Sequence, residues 1–510
     1  MNESNTAQSD LNPQRLLGIR RGIEKESLRC EPDGALAMTQ HPADLGSALT
    51  HPHITTDFSE SQIELITGVH AGVQSCIDEL REVQKFTLQS MGDELLWVSS
   101  MPCKLPADEA IPLGQYGSSN VGLAKTVYRS GLGYRYGRRM QTISGIHYNW
   151  SLPGVSSEAY FGLIRNFRRH AFLLLYLFGA SPAVCESFVA GRSHSLQALH
   201  PGTMGLPYAT SLRMGRLGYQ SDAQSALAVS YNSLEGYAAS LHQALTVPYA
   251  PYQAIGVQAP DGHFRQLTTS LLQIENEFYG TIRPKRVIFQ GERPLHALRE
   301  RGVEYVEVRL MDLDPFEPVG IHPRTLRFLD VFLLHCLSQP SPKDSPQEIA
   351  AMARNQQCVA ERGREPGLRL QRADATVALT DWGLELVRGF APMAGALDAA
   401  HGSSDYSDAV AHAEHALQNP DTLPSARVLR SMAHDFGGSF AAFALAHSAQ
   451  TKAQELASPL SPSALARFQQ LAQASRVAQL ETEQGDSLPF DRYLEQYLSP
   501  QRLGKPAASA

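Results

Sequence analysis

Three short segments in the first two thirds of the chain alternate in period two, with apolar residues on one side and polar residues on the other. In a strand, residues i and i+2 point to the same face. In "GIEKESLR" (22–29), Glu24 and Glu26 therefore project together, while Ile23 and Lys25 point away. In "VEYVEVRL" (303–310), Tyr305, Glu307 and Arg309 share one face, opposite Glu304, Val306 and Val308. In "TISGIHYNWSL" (142–152), Gly145, His147 and Asn149 share a face, opposite Ile146, Tyr148 and Trp150. The β-branched content supports strands. Strands with one apolar face and one face of ligand-type side chains fit an antiparallel sheet, with helices behind it and a solvent-filled cleft in front.

The chain changes character near residue 340. "SPQEIAAMARNQQCVAERG", "DATVALTDWGLELVRGF", "SDAVAHAEHALQNP" and "SALARFQQLAQASRVAQLETEQ" are Ala-rich and read as helices, several of them starting after a Ser or Asp that can cap them. "SQPSPKDSP" (338–346) is the best boundary. The expectation is an α+β chain: a sheet-containing region 1–337, and a mostly helical region 338–510 packed on it as one compact unit.

The net charge of −7 gives no reason to expect nucleic acid or an anionic membrane as partner. The most apolar stretch, "HAFLLLYLFGASPAVC" (170–185), is interrupted by Gly179, Ser181 and Pro182 and reads as a buried helix ending near Gly179. It falls short of the ~20 apolar residues of a membrane span. "MNESNTAQSDLNPQ" lacks the cationic-then-apolar order of an export signal, so a cytoplasmic location with free thiols is expected. The six cysteines form no C-x-x-C pair, and no H-E-x-x-H occurs. A thiolate zinc site is thereby disfavoured.

Taken singly, the polar features are bland. Glu24 and Glu26 read as a solvated pair, and His147 as a structural histidine. Asp57, in "ITTDFSESQIELIT" (54–67), reads as the N-cap of a helix starting at "SESQIELI". Glu307 and Arg309 read as an exposed ion pair. Together they say more: acids recur in three strand-like segments, with a histidine in a fourth. Carboxylates without thiolates suit hard cations, Mg²⁺ or Mn²⁺, and Mg²⁺ is commonly held by carboxylates plus substrate phosphates. No G-x-x-x-x-G-K-[ST] or G-x-G-x-x-G loop is present, so a nucleotide here must be held by metal ions and arginines. Basic and aromatic residues are dense in "AKTVYRSGLGYRYGRRM", "LPYATSLRMGRLGYQ" and "NEFYGTIRPKR". The acidic net charge and the lack of RRM or KH motifs set RNA aside.

At these residues the chain resembles the proteobacterial type of glutamate–cysteine ligase. The likeness runs in order through "GIRRGIEKESLR", "HPADLGSALTHPHITTDFSESQIELIT", "QYGSSNVGLAKTVYRSGLGYRYG", "MQTISGIHYNWSLP", "LLQIENEFYGTIRPKR", "GVEYVEVRLMDLDPFEPVGI" and "SARVLRSMAHDFGGSFAAFA", and becomes loose beyond residue 450. The resemblance implies a glutamine synthetase-like fold, in which a curved, mostly antiparallel sheet forms a funnel-like active site. It implies ATP-dependent joining of the L-glutamate γ-carboxyl to the L-cysteine amine through a γ-glutamyl phosphate, the first step of glutathione biosynthesis. By motif position it places metal ligands on Glu24, Glu26, Asp57, Glu64, His147 and Glu307, with Arg309 beside Glu307 on the transferring phosphoryl group. It places a cysteine pocket near Phe58, Tyr128, Tyr219 and Tyr279. Arg129 and Arg213 become candidates for substrate carboxylates or phosphates. A monomer is expected.

Overall fold

A computed structural model describes residues 12–218, 222–225, 227, 229–289 and 291–504. Strand β1 (Arg20–Cys30) is its central element. The strands that follow are β2 (Ile54–Thr56), β3 (Gln62–Ile66), β4 (Leu95–Leu96), β5 (Ile146–Ser151), β6 (Ala183–Cys185), β7 (Gln197–His200), β8 (Thr203–Gly205), β9 (Ile282–Lys285) and β10 (Tyr305–Met311). Seven of them make one sheet in the order β2-β3-β1-β5-β10-β9, with β4 also paired to β1. Every pairing in it is antiparallel. The remaining three form a small sheet in the order β6-β8-β7.

One face of the large sheet is apolar. Ile23, Ile63, Leu65, Ile146, Tyr148, Trp150, Val306 and Val308 are buried there. They share a core with the helices Val73–Ser90, Ser157–Phe178 and Pro323–Ser338. The second helix is the apolar run of the sequence. Its Ser156 side chain accepts from Ala159 N–H at the start, and it stops at Gly179, before Pro182. At full burial each such side chain contributes about 1.5–3 kcal/mol. Two charged groups are also held on this side. Arg21 Nη2 pairs with Asp330 Oδ2 at 2.8 Å, and Lys25 Nζ donates to Gln84 Oε1 at 2.5 Å. Burial drops the Lys25 ammonium to about 7.

The later part is helical, and its cores merge with that of the sheet. Helix Pro346–Arg362 buries Val359 and Ala360, and helix Pro462–Gln484 stacks Phe468 on Phe86 at 5.2 Å. Three expectations need correction. "DATVALTDWGLELVRGF" is not all helix: β11 (Arg369–Arg372) pairs with β12 (Ala375–Ala378), and the helix starts only at Leu379. Thr376 and Val377 are β-branched and suit a strand, and Ala373 turns the hairpin with a φ of 51°. "SESQIELI" is no helix either, because Gln62–Ile66 is β3. Finally, the thiols are not all free: Cys103 and Cys185 are joined, with Cα atoms 5.2 Å apart. Cys30, Cys76 and Cys336 are free and buried, and Cys358 is half-buried. Among the described residues no helix is long and apolar enough to cross a membrane.

Candidate active site

The polar face of the sheet forms the floor of a cleft of about 480 Å³. Register assembles it. β1 sets Glu24 opposite His147 on β5 and Glu26 opposite Glu64 on β3. β10 sets Glu307 opposite Asn149 on β5 and Arg283 on β9. Asp57 follows β2 at the hairpin to β3, where its N–H donates to Gln62 O at 2.9 Å. Directly paired residues on one face have Cβ atoms about 5 Å apart. Strands β1, β3 and β10 thus deliver carboxylates to one spot, and β5 delivers a histidine.

Hydrogen bonds orient these groups. His147 Nδ1 donates to Glu24 Oε2 at 3.0 Å, and Asn149 Nδ2 donates to Glu24 Oε1 at 2.8 Å. The proton on Nδ1 leaves a lone pair on His147 Nε2. That atom is buried without a hydrogen-bond partner, 3.5 Å from Glu26 Oε1. The other Glu26 oxygen accepts from Gly145 N–H at 2.8 Å. Glu307 sits among cations: Arg309 Nη1 at 3.1 Å, Lys285 Nζ at 3.2 Å and Arg283 Nη1 at 3.8 Å.

The carboxyls divide accordingly. Burial, then the neighbouring Asp57 charge, pushes Glu26 up to about 8. Burial and then Glu24 raise Glu64 well above the usual range. At Glu307 burial acts upward, but Lys285, Arg309, His147 and Arg283 together hold the carboxyl well below that range. Glu24 is also lowered, because the His147 hydrogen bond acts against its burial. Crowded carboxylates that repel one another are stabilised by a cation between them. Glu24, Glu64 and His147 each offer a ligand atom, all within 4.8 Å of one another. A hard divalent cation fits this donor set, with His147 supplying its single nitrogen.

The aromatic and arginine positions divide. Phe58, Tyr128, Arg129 and Tyr279 line the cleft. The Tyr279 hydroxyl accepts from Gln141 Nε2 at 2.7 Å. Arg129 spends part of its guanidinium on the Asp57 and Lys125 carbonyls. Arg213 is not brought to the cleft: it is fully buried and donates from Nη2 to Arg309 O at 2.9 Å. It packs on Gly145 so closely that a Cβ there would meet its Nη2 at 2.1 Å. Arg213 therefore props the turn that holds Glu26. Tyr219 lies outside the described residues. Lys285 and Arg283 were legible only as part of a basic cluster; their alternation along β9, beside Glu307, is what marks them.

The family model described as glutamate–cysteine ligase matches residues 5–359. The chain belongs to the glutamate–cysteine ligase family. It is 47% identical over 502 residues to the glutamate–cysteine ligase of Saccharophagus degradans, covering 94% of each chain. It is 44% identical over 504 residues to that of Alcanivorax borkumensis, covering 94% of this chain and 96% of the relative. The crystal structure of glutamate–cysteine ligase from Francisella tularensis in complex with AMP is similar, with a TM-score of 0.89 and 38% identity over 95% of this chain and 98% of that one. A bifunctional glutathione synthetase from Pasteurella multocida matches with a TM-score of 0.72 and 25% identity, over 92% of this chain and 58% of that one. A glutamate–cysteine ligase of this kind is an ATP-dependent enzyme that forms γ-glutamylcysteine for glutathione synthesis.

Proposed function

We propose that the cleft performs this ligation with Glu24, Glu26, Asp57, Glu64, His147 and Glu307 holding Mg²⁺, or Mn²⁺ in its place. The reading is carried by one observation: the strand register that collects Glu24, Glu26, Glu64, His147 and Glu307 on one floor. Bound there, the divalent ions would neutralise phosphate and carboxylate charge.

The glutamate γ-carboxylate attacks the γ-phosphorus of ATP, ADP leaves, and a γ-glutamyl phosphate remains. The cysteine amine then attacks the acyl carbon, and phosphate departs with the C–O bond electrons. Arg309, with Lys285 and Arg283 behind it, stabilises charge on the transferring group. Phe58, Tyr128 and Tyr279 hold the cysteine side chain and exclude water, which would hydrolyse the acyl phosphate. An aromatic pocket separates the thiol of cysteine from close analogues only modestly. Use of ATP and of a free thiol substrate supports a cytoplasmic location.

ADP release by the purified chain tests this. Release should require a divalent cation, glutamate and cysteine together. Release with glutamate and a different amine, and none with cysteine, would replace the reading by another carboxylate–amine ligase.

A further inference from the structure

Where the chain leaves β10 it borders a second cavity, of about 450 Å³. This cavity shares no described lining residue with the catalytic cleft. Its walls are the end of helix Ser157–Phe178, the start of helix Pro323–Ser338, and helices Asp405–Gln418 and Pro424–Asp435. Phe178, Phe328, Ala413 and Leu423 make much of the surface apolar, and the segment after β10 closes it with Asp314 and Glu317.

Acids and bases face one another here without pairing. Asp314 and Glu317 stand on one wall, Arg324 and Arg427 on two others. Arg427 attracts both carboxyls, and Arg324 attracts Glu317. Among the described residues, however, none of these side chains is in an ion pair. Their contacts are local: Asp314 Oδ1 accepts from Phe316 N–H at 3.0 Å, and Arg427 lies 4.1 Å over the Phe316 ring. Burial, then the Asp314 charge, pushes Glu317 up to about 7, as for a carboxyl without a close counter-charge. His322 and His412 line the cavity too, but burial, then Arg324, lowers both, so they add no charge at neutral pH. An anion alone would leave the acids unmatched, and a cation alone the arginines. Opposite charges held apart across an apolar-walled space match a ligand that carries both.

We propose that this cavity is an effector site for a small zwitterion with an apolar side chain, a free amino acid or a dipeptide. The ammonium sits by Asp314 and Glu317, the carboxylate by Arg324 and Arg427, and the side chain against Phe178 and Phe328. The site is wired to the catalytic floor. Asp314 N–H donates to Gly320 O at 2.9 Å and Glu317 N–H to Asp314 O at 3.1 Å, which closes a tight loop. Two residues before that loop, Asp312 accepts from Ala180 N–H at 2.9 Å and from Ser211 Oγ at 3.0 Å, and lies 3.8 Å from Arg213 Nη1. Arg213 props the turn that holds Glu26, and the strand ending at Met311 carries Glu307 and Arg309. A ligand that ties the loop to the helices therefore bears on both.

The test is isothermal titration calorimetry of the full chain in Mg²⁺, with glutamate and cysteine saturating and nucleotide left out. The probes are L-leucine, L-methionine, L-phenylalanine and L-alanyl-L-leucine, and at least one should bind. For leucine, leucinamide and 4-methylpentanoate each lack one of the two charges and should bind about tenfold more weakly or worse; the corresponding analogues serve for the other probes. Glu317→Gln and Arg324→Ala, at half-buried positions away from the catalytic groups, should each weaken the probe about tenfold and leave kcat without probe unchanged. The probe should shift the parent's kcat at saturating substrates by about twofold or more, and both variants should lose that shift. No binding by any of the four probes overturns the site, as does binding that the singly charged analogues match or that both variants retain. Binding that leaves kcat untouched overturns the effector role. The binding measurements stand apart from the ligase reading: a chain that binds the probe but forms no γ-glutamylcysteine sinks that reading alone.

Discussion

His147 Nδ1 donates to Glu24 Oε2 at 3.0 Å across the directly paired positions of β5 and β1. The bond sets the tautomer, and with it the direction of the remaining lone pair: Nε2 faces Glu26, not solvent. A histidine whose one nitrogen is committed to a carboxylate presents the other as a pre-oriented ligand.

Glu307 is held in its charged form by three cations of β9 and β10. Glu307→Gln removes that charge while keeping the shape. We expect kcat to fall by about 10²–10³, as for loss of one preorganised charge-stabilising contact, with the KM for cysteine little changed. ADP release at saturating substrates, titrated with Mg²⁺, measures it. A kcat near that of the parent would remove Glu307 from the metal set.

Phe58 is 2% exposed and lines the cleft next to Asp57. Phe58→Ala should raise the KM for cysteine by about 10–100-fold, the range expected when a snug apolar contact is lost. The KM for ATP should hold. Initial rates with cysteine varied at fixed glutamate and ATP give the value. An effect confined to the KM for ATP would place cysteine elsewhere.

Behind the sheet, Asp330 accepts from Arg21 at 2.8 Å and from the Tyr148 hydroxyl at 2.6 Å, with both ends of the ion pair fully buried. Asp330→Ala strands the Arg21 charge and should cost about 3–5 kcal/mol. Arg21→Met together with Asp330→Leu removes both charges and should recover much of the loss. Urea unfolding of the single and double variants compares them. A single variant as stable as the parent would show that the pair contributes nothing.

His51 Nδ1 accepts from His53 N–H at 3.1 Å and from Ile54 N–H at 2.9 Å, so this turn needs the neutral imidazole. Burial, with His53 adding, lowers His51 to about 4. The folded value lies below the ordinary 6.5 of histidine, so between the two the unfolded chain binds the extra proton. The contribution to stability is therefore complete above pH 6.5 and lost as pH falls towards 4. The melting temperature should drop across that window. His51→Asn, whose Oδ1 can take both hydrogen bonds, should flatten the drop. An acid profile unchanged by His51→Asn would assign the loss to other groups.

Much of the site was readable in one dimension. Alternation put Glu24 and Glu26 on one face and Lys25 on the other, and in the structure Lys25 reaches Gln84 in the helix layer while the glutamates line the cleft. Face is set by the geometry of two successive peptides, so a local pattern suffices. Asp57 misled when read alone, because a capped helix and the hairpin β2–β3 begin with the same residue types. Pairing with β2 on one side and β1 on the other makes "QIELI" a strand. Arg213 misled for another reason. Its chemistry suits a substrate carboxylate, but a buried packing position against Gly145 and the Arg309 carbonyl engages it first.

The sequence by itself determined the residue types, the face each strand presents and the family. Tertiary structure decided which strands are neighbours, and so that Glu26 meets Glu64 and Glu24 meets His147. It also decided that Tyr493 and Tyr497, far along a chain of 510 residues, line the same cleft as Glu24. Strand faces follow from local backbone geometry. Register and long-range docking follow from the burial of surfaces distant in sequence, which no local window contains.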